Sequence, residues 1–447
     1  MLLKFYLIIK LMGTQFNNIT FSNIFKVVFD DINTMHKRIA AISKVATAVI
    51  IVVVIIVAAV AAYVALTSAP TAAPENVKLG LLTPLTGAFA RTGKAMQDAA
   101  QMAVDEINEA GGVLGRKVVL ITRDTAGDPE TGLDAALKLI LDDKVHVLFG
   151  TFSSGVTLAI LPKIPQYKVP FLVSVSTATE ITTPVLSDYT NYKYIFGTRW
   201  NNTQVALLAV SFVTEVVGAK RVFFMSADAK FPRDLYGIVK PILESKGVTI
   251  VGVDFPPRTA TDFTTYLQRV KETNPDAVLS TQVGGDGPIF AKQYYESKIN
   301  APIYFMGGAL GSQTVAKELG AASNYVTFGV AAWKVAITPK TMKFYENFEK
   351  RFGYSSTNYE DIRTYDTVYI AVDAIKRANS VDPDKIVEAL EKTDYTGACG
   401  RYAFDKSHDT LWGPGYLQGA IAQWVNGEGY IVWPSDLKQR AYEWPYK

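Results

Sequence analysis

Ser153 and Ser154 follow an apolar run, Val145–Phe149, and precede a helical stretch. Hydroxyls and the free backbone N–H groups of a helix start can together hold an anion without a formal charge. The same serines could instead cap the helix. Arg91, beside Thr92 in an early loop, carries a planar fork that can pair with a carboxylate bidentately, or it stands solvated. Little else resembles reaction chemistry. His36, His146 and His408 share no metal-ligand spacing. Ser153 lacks the G-x-S-x-G elbow, and no histidine motif supports it. The glycines of Gly111-Gly112-Val113-Leu114-Gly115 do not follow G-x-G-x-x-G, and they come after a helix, not a strand. A binding role is therefore expected, with no enzymatic activity and no cofactor.

These residues need a scaffold, and the chain is long enough for two or three domains at 447 residues. Hydrophobic residues make up 49% and charged residues 19%, so ordinary cores can form. A formal net charge of +3 gives no basic footprint for nucleic acid. The single cysteine, Cys399, allows no intrachain disulfide and no Cys-based zinc cluster. It reads as a small buried hydrophobe.

Val45–Leu66 is a run of 22 uncharged residues, enough as a helix to cross a hydrocarbon core of about 30 Å. Lys37, Arg38 and Lys44 precede it, and no basic residue follows until Lys78. The positive-inside rule puts residues 1–44 in the cytoplasm and the remainder outside. The run exceeds the usual length of a secretory core, which favours an uncleaved single-pass anchor. Residues 67–76 read as a linker; their small residues would also suit a signal peptidase. Met35 followed by His36-Lys37-Arg38 resembles the start of a signal anchor, so residues 1–34 are expected either to lie before the true start or to form a cytoplasmic tail.

From Val77 short apolar strands alternate with helices. Strands are expected at Val77–Leu82, Lys117–Thr122, Val145–Phe149 and Phe171–Val175, with helices at Gly93–Ala110 and from the cap Asp128 to about Asp142. The rhythm restarts with strands at Arg221–Met225, Thr249–Asp254, Ala277–Ser280 and Ile303–Met306, and helices at Leu235–Lys246, Phe263–Thr273 and Pro288–Lys298. Such alternation predicts an α/β fold of two Rossmann-like lobes with parallel sheets, and ligands at the carboxyl ends of their strands.

Several segments carry a family resemblance. Gly80–Gly87, Ala103–Gly115, Gly150–Ser154 and Thr261-Asp262-Phe263 resemble the branched-chain amino acid binding proteins of ABC transporters. Tyr365-Asp366-Thr367, Gly397–Gly400, Phe404-Asp405 and Gln423–Gly427 continue the match to the end. The resemblance implies a type I periplasmic binding protein with three hinge crossings. Lobe 1 would be 77–197 with 330–405, and lobe 2 would be 198–329 with 406–447. It implies an extracytoplasmic binder that captures a small carboxylate, amino acid or amide by hinge closure and delivers it to an ABC permease. The same fold also serves sensor ectodomains that act through a separate signalling partner.

The resemblance also assigns roles. Ser153 and Ser154 would take the ligand carboxylate, helped by Ser176, Thr177 and Ala178, for which the plain alternative is a turn. Trp200 would cap the cleft by stacking or pack between lobes. Phe231 would close over the ligand, and Asp286 in the Gly284-Gly285-Asp286 loop would hold an amine or stand solvated. Where relatives carry an ammonium-binding glutamate after Phe305-Met306-Gly307, this chain has Gly308-Ala309-Leu310. A buried ammonium would then lack compensation unless Asp286 supplies it.

Overall fold

The computed structural model describes residues 30, 44–67, 75–281, 286–306, 310–331, 333–356 and 359–444. The tail before residue 30, the linker 68–74, Gly284-Gly285 and Gly307–Ala309 lie outside the described residues. The chain forms two compact units, Met1–Pro74 and Glu75–Lys447. In the first, Lys44–Thr67 is a helix of 24 residues that contains Val45–Leu66. Its side chains are described from 46 to 62, and Val49, Ile51, Ile55 and Val60 are exposed. Among the described residues no helix is long and apolar enough to cross a membrane.

The second unit holds two main sheets. The first contains β1 (Val77–Thr83), β2 (Val118–Asp124), β3 (Val147–Gly150), β4 (Phe171–Val173) and β5 (Ile195–Gly197) in the order β2-β1-β3-β4-β5. All four pairings are parallel. β3 and β4 are buried throughout, as strands covered by helices on both faces must be. The helix after β2 starts as read: Asp128 accepts the Thr131 amide at 2.9 Å, and Pro129 opens the first turn.

The second sheet contains β6 (Arg221–Met225), β7 (Thr249–Asp254), β8 (Ala277–Ser280), β9 (Ile303–Phe305) and β10 (Thr327–Val330). After a small two-stranded ladder of β11 (Tyr395–Thr396) and β12 (Arg401–Tyr402), it is completed by β13 (Ala420–Val425) and β14 (Glu428–Trp433). Its order is β14-β13-β10-β9-β8-β6-β7. β13 runs antiparallel to both β10 and β14, so this sheet is mixed where a parallel one was expected. A tight Asn426-Gly427 turn reverses the chain between β13 and β14. Both residues have positive φ, 53° and 78°, which allows a two-residue hairpin.

Helices from late in the chain complete the first lobe. Tyr365 and Tyr369, in the helix Glu360–Ala378, donate hydroxyls at 2.5 and 2.7 Å to Glu106 in the helix Ala90–Glu109. The same late helix is pinned by Asp366. Its buried carboxylate accepts the Ala398 and Cys399 amides and the Tyr402 hydroxyl. A Cβ on Gly397 would lie 2.5 Å from that carboxylate, so this position takes glycine.

The chain passes between the sheets after β5, after β10 and before β13. Two of these passages are locked together. Gly197 donates its amide to His408 O at 2.8 Å and accepts the Thr410 amide at 3.1 Å. His408 stacks on Phe196 with centroids 4.1 Å apart. Asp409 accepts hydrogen bonds from Thr182 and Asn201, and it faces Arg199 at 3.3 Å.

The carboxyl end of β3 is a tight turn. Gly150 has φ +104°, and a Cβ there would stand 2.5 Å from Leu82 O. Gly150→Ala therefore lowers unfolding stability by about 2 kcal/mol or more. Chemical denaturation of the two proteins, read by tryptophan fluorescence, checks it.

Candidate ligand-binding site

The loops at the carboxyl ends of β3 and β4 are bound to each other. The Ser174 amide donates to Gly150 O and the Ser176 amide to Thr151 O. Thr151 follows Gly150 in the left-handed region, at φ +60°. That is unfavourable for a β-branched residue, and such strain gathers at functional sites. It is held by the Thr151 amide bond to Leu82 O and by Thr157, whose hydroxyl donates to Thr151 Oγ1 at 2.8 Å. The distorted turn carries Ser153 and Ser154. Ser153 takes the N-cap position of the helix Ser154–Ile160, yet its hydroxyl makes no cap hydrogen bond. The Ser176 hydroxyl lies 3.3 Å from that of Ser154, so the two serine segments meet, both nearly buried. Thr177 and Ala178 are buried beside them, with Thr177 O accepting the Asn202 amide at 2.8 Å.

Phe231 and Asp286 approach from the other lobe. Lys230, next to Phe231 at the start of the helix Lys230–Ser245, pairs with Glu180 at 2.7 Å. Glu180 is two residues beyond Ala178, so this ion pair brings the Phe231 helix start against the Thr177–Ala178 segment. Asp234 and Glu180 together hold the Lys230 ammonium above its ordinary pKa. Asp286 begins the helix Asp286–Glu296 and is buried, with Oδ2 making no hydrogen bond. Burial pushes its carboxyl up to about 6 despite its local backbone amides and the charge of Arg258. Arg258 itself lies 4.9 Å over the ring of Phe89, a first-lobe residue.

Two expected residues are placed differently. Arg91 is exposed and pairs with Glu318 across the lobes at 3.2 Å, so its fork faces a protein carboxylate. Thr92 sits next to it, partly exposed, in the first turn of the helix Ala90–Glu109. Trp200 is buried against Tyr359 at 4.9 Å and Trp412 at 5.9 Å, which is the packing alternative.

The structure adds residues that the reading of the sequence passed over. Phe89 and Phe152 pack with ring centroids 4.9 Å apart, giving an aromatic wall beside the serines. Thr281, just past β8, is buried with its hydroxyl unpartnered. Asn202 is buried with both amide atoms unpartnered, and all three guanidinium nitrogens of buried Arg363 are unpartnered too. One signal for Arg363 was available. It shares a helical stripe with Thr367, Ile370 and Ala374, all fully buried, so a charged residue stands on a core-facing line. No group of three or more His, Cys, Asp or Glu could hold a metal among the described residues.

Residues 76–427 match the model of a family described as periplasmic binding protein. The chain belongs to that family. It is thus one of a family of binding proteins, with relatives named for binding and not for catalysis. The periplasmic binding protein unit is 30% identical to the Leu/Ile/Val-binding protein BraC3 of Rhizobium johnstonii, over 54% of this chain and 63% of that one. It is 25% identical to the Leu/Ile/Val-binding protein homolog 8 of Brucella suis, over 83% of this chain and 94% of that one. A solved solute-binding protein of an ABC transporter from Rhodopseudomonas palustris, in complex with 3,4-dihydroxybenzoic acid, superposes with a TM-score of 0.70. It is 25% identical, covering 83% of this chain and 99% of that one. The type I periplasmic binding fold and its branched-chain amino acid lineage follow. Within that lineage, solved relatives hold aromatic acids as well.

The position of Asp286 makes stability depend on pH. Below its ordinary value of 3.8 the carboxyl is protonated whether the chain is folded or not, and its burial is harmless. Above about 6 the folded protein carries a desolvated charge. Asp286→Asn is therefore neutral at pH 3.5 and stabilising at pH 8, by on the order of 2 kcal/mol. Urea unfolding curves at the two pH values check the sign.

Proposed function

We propose that this chain is the extracytoplasmic solute-binding component of an ABC importer, which captures a small carboxylate, amino acid or amide by hinge closure and presents it to a membrane permease. The observation that carries the reading is the Lys230–Glu180 contact, which brings the lobe 2 helix start bearing Phe231 against the lobe 1 segment bearing Thr177 and Ala178. Ser153, Ser154, Ser176 and Thr177 receive the ligand carboxylate through hydroxyls and backbone amides. Phe89 and Phe152 line the apolar body, and Phe231 covers it. Asp286 meets the opposite end of the ligand, as an acceptor when ionised and as a donor when protonated.

Closure moves two bodies, 77–197 with 330–405 and 198–329 with the C-terminal segment, about the three crossings. His408 and Asp409 bind β5, which supports a third crossing between 410 and the start of β13. The ligand shifts the equilibrium because the closed form alone contacts it from both sides. Arg91–Glu318 and Lys230–Glu180 tie the lobes at the exposed rim. Exposed pairs contribute little to stability, so they set the closed geometry without holding the clamp shut.

We place the unit outside the cell on a single anchor, the helix Lys44–Thr67. The support is the sequence: the run Val45–Leu66 is uncharged, and Lys37, Arg38 and Lys44 precede it on the side that would stay inside. Protease added to intact cells should digest the region after residue 75 while the product stays with the membrane fraction. Release of that region into the medium without protease would argue for cleavage.

Calorimetry of the full chain in detergent with leucine, isoleucine, benzoate, 3,4-dihydroxybenzoate and benzamide tests the binding function. Ser154→Ala and Thr177→Ala each weaken the tightest of these ligands by about tenfold. Unchanged affinity in both variants would remove the serine and threonine segments from the site.

A further inference from the structure

The loop after β7, Phe255-Pro256-Pro257-Arg258, is built to hold one side chain out. Each proline fixes its own φ and keeps the residue before it extended. Pro256 O accepts the Asp228 amide at 2.8 Å, and Pro257 O accepts the Ala260 amide at 2.9 Å. Behind the prolines the Phe255 ring packs on Phe224 and Tyr236 and lies 4.5 Å beneath the Arg233 guanidinium. The loop is thereby tied to the segment 228–233, which carries Phe231. Arg258 stands exposed beyond it.

Across the lobes the Arg258 guanidinium lies 4.9 Å over the ring of Phe89. That ring is held on its own lobe. Phe89 ends the short turn Gly87–Phe89, ahead of the helix Ala90–Glu109, and is buried. Phe152 packs on it with centroids 4.9 Å apart, and a Cβ on Gly127 would lie 2.8 Å from it. Asp124 joins the two turns that frame the ring. Its carboxylate accepts the Leu85 amide at 2.7 Å, the Thr86 hydroxyl at 2.6 Å and the Ala126 amide at 2.8 Å. Both halves of the contact are therefore fixed within their own lobes. A cation over an aromatic face is attracted within about 6 Å of the ring, so hinge opening by a few ångströms abolishes this contact.

We propose that Arg258 is a latch between the lobes, which seats on Phe89, in the aromatic wall beside Ser153, only when the clamp is closed. The inference rests on the hinge-closure reading above and adds a device to it. The rim ion pairs Arg91–Glu318 and Lys230–Glu180 join flexible side chains. The latch instead joins a loop stiffened by two prolines to a packed ring, so it forms at one lobe separation and is lost at wider ones.

Single-molecule energy transfer on the full chain in detergent tests it, with dyes on Leu141→Cys and Glu272→Cys. These positions are exposed, one in each lobe, and the native Cys399 is buried. The readout is the ratio of closed to open molecules. Arg258→Gln should lower that ratio by about two- to fivefold, Phe89→Leu should do the same, and the double variant should fall no further. Arg258→Lys should keep part of the ratio, since an ammonium also sits over a ring. Circular dichroism checks each fold, and if Phe89→Leu does not fold, Arg258→Gln against Arg258→Lys decides. An unchanged ratio in Arg258→Gln, or single effects that add in the double variant, overturns the latch. It leaves the solute-binding reading intact when benzoate or leucine still shifts the native ratio. A native chain held in one state with leucine, isoleucine, benzoate, 3,4-dihydroxybenzoate or no ligand overturns both.

Discussion

The molecule depends on what happens where its chain crosses between lobes, and the Arg199–Asp409 pair lies at that point. Both residues are buried, and their charges stand 3.3 Å apart. Burial pulls the Arg199 guanidinium down from its ordinary pKa, and Asp409 opposes that pull. Taking such a pair out of water is costly, and losing one member would strand the other. Thr182 and Asn201 satisfy the second carboxylate oxygen, and Thr410 donates its hydroxyl to Arg199 O. The first and last crossings thus leave lobe 1 at one place.

The base and the rim between the lobes are built from different physics. At the base lie buried charges, the stacked rings of Phe196 and His408, and main-chain ladders joining Gly197 to residues 408–410. At the rim lie solvent-exposed ion pairs, Arg91–Glu318 and Lys230–Glu180, which salt screens. Interactions of the first kind are shielded from solvent and salt. Those of the second kind form and break at little cost.

The scaffold was largely legible in the sequence and the site was legible in part. Buried parallel strands are continuous apolar runs, and β3, β4, β8 and β9 were read directly from them. β13 and β14 were not, because their partners are set by the second lobe and nothing local distinguishes an antiparallel return from another crossover. The helix Lys230–Ser245 starts five residues before the expected Leu235, since Phe231 and Pro232 tolerate a first turn that their pattern does not announce. Ser154, Ser176 and Thr177 were read from the ends of strands, where loops of such sheets gather, and the structure brings Ser154 and Ser176 within 3.3 Å. The burial of Arg363 was passed over because a lone arginine in a helix reads as surface until its stripe is examined. Arg91 shows the opposite case: a loop arginine suited to a ligand has a partner on the far lobe that local sequence could not reveal.

The late helices of lobe 1 set the order in which the chain can finish folding. Glu106 waits for Tyr365 and Tyr369, 259 and 263 residues away, and the sheet that starts at Val77 stays partly uncovered until the segment near residue 400 arrives. Strands β6 to β10 of lobe 2 lie between them in sequence, so they can condense first, still lacking β13 and β14, while lobe 1 shows apolar surface. Such distant pairings slow folding and prolong the time in which chains can aggregate. A chain that stalls after residue 330 would therefore be a danger to its neighbours, and its handling during export becomes as important to its yield as the stability of the finished clamp.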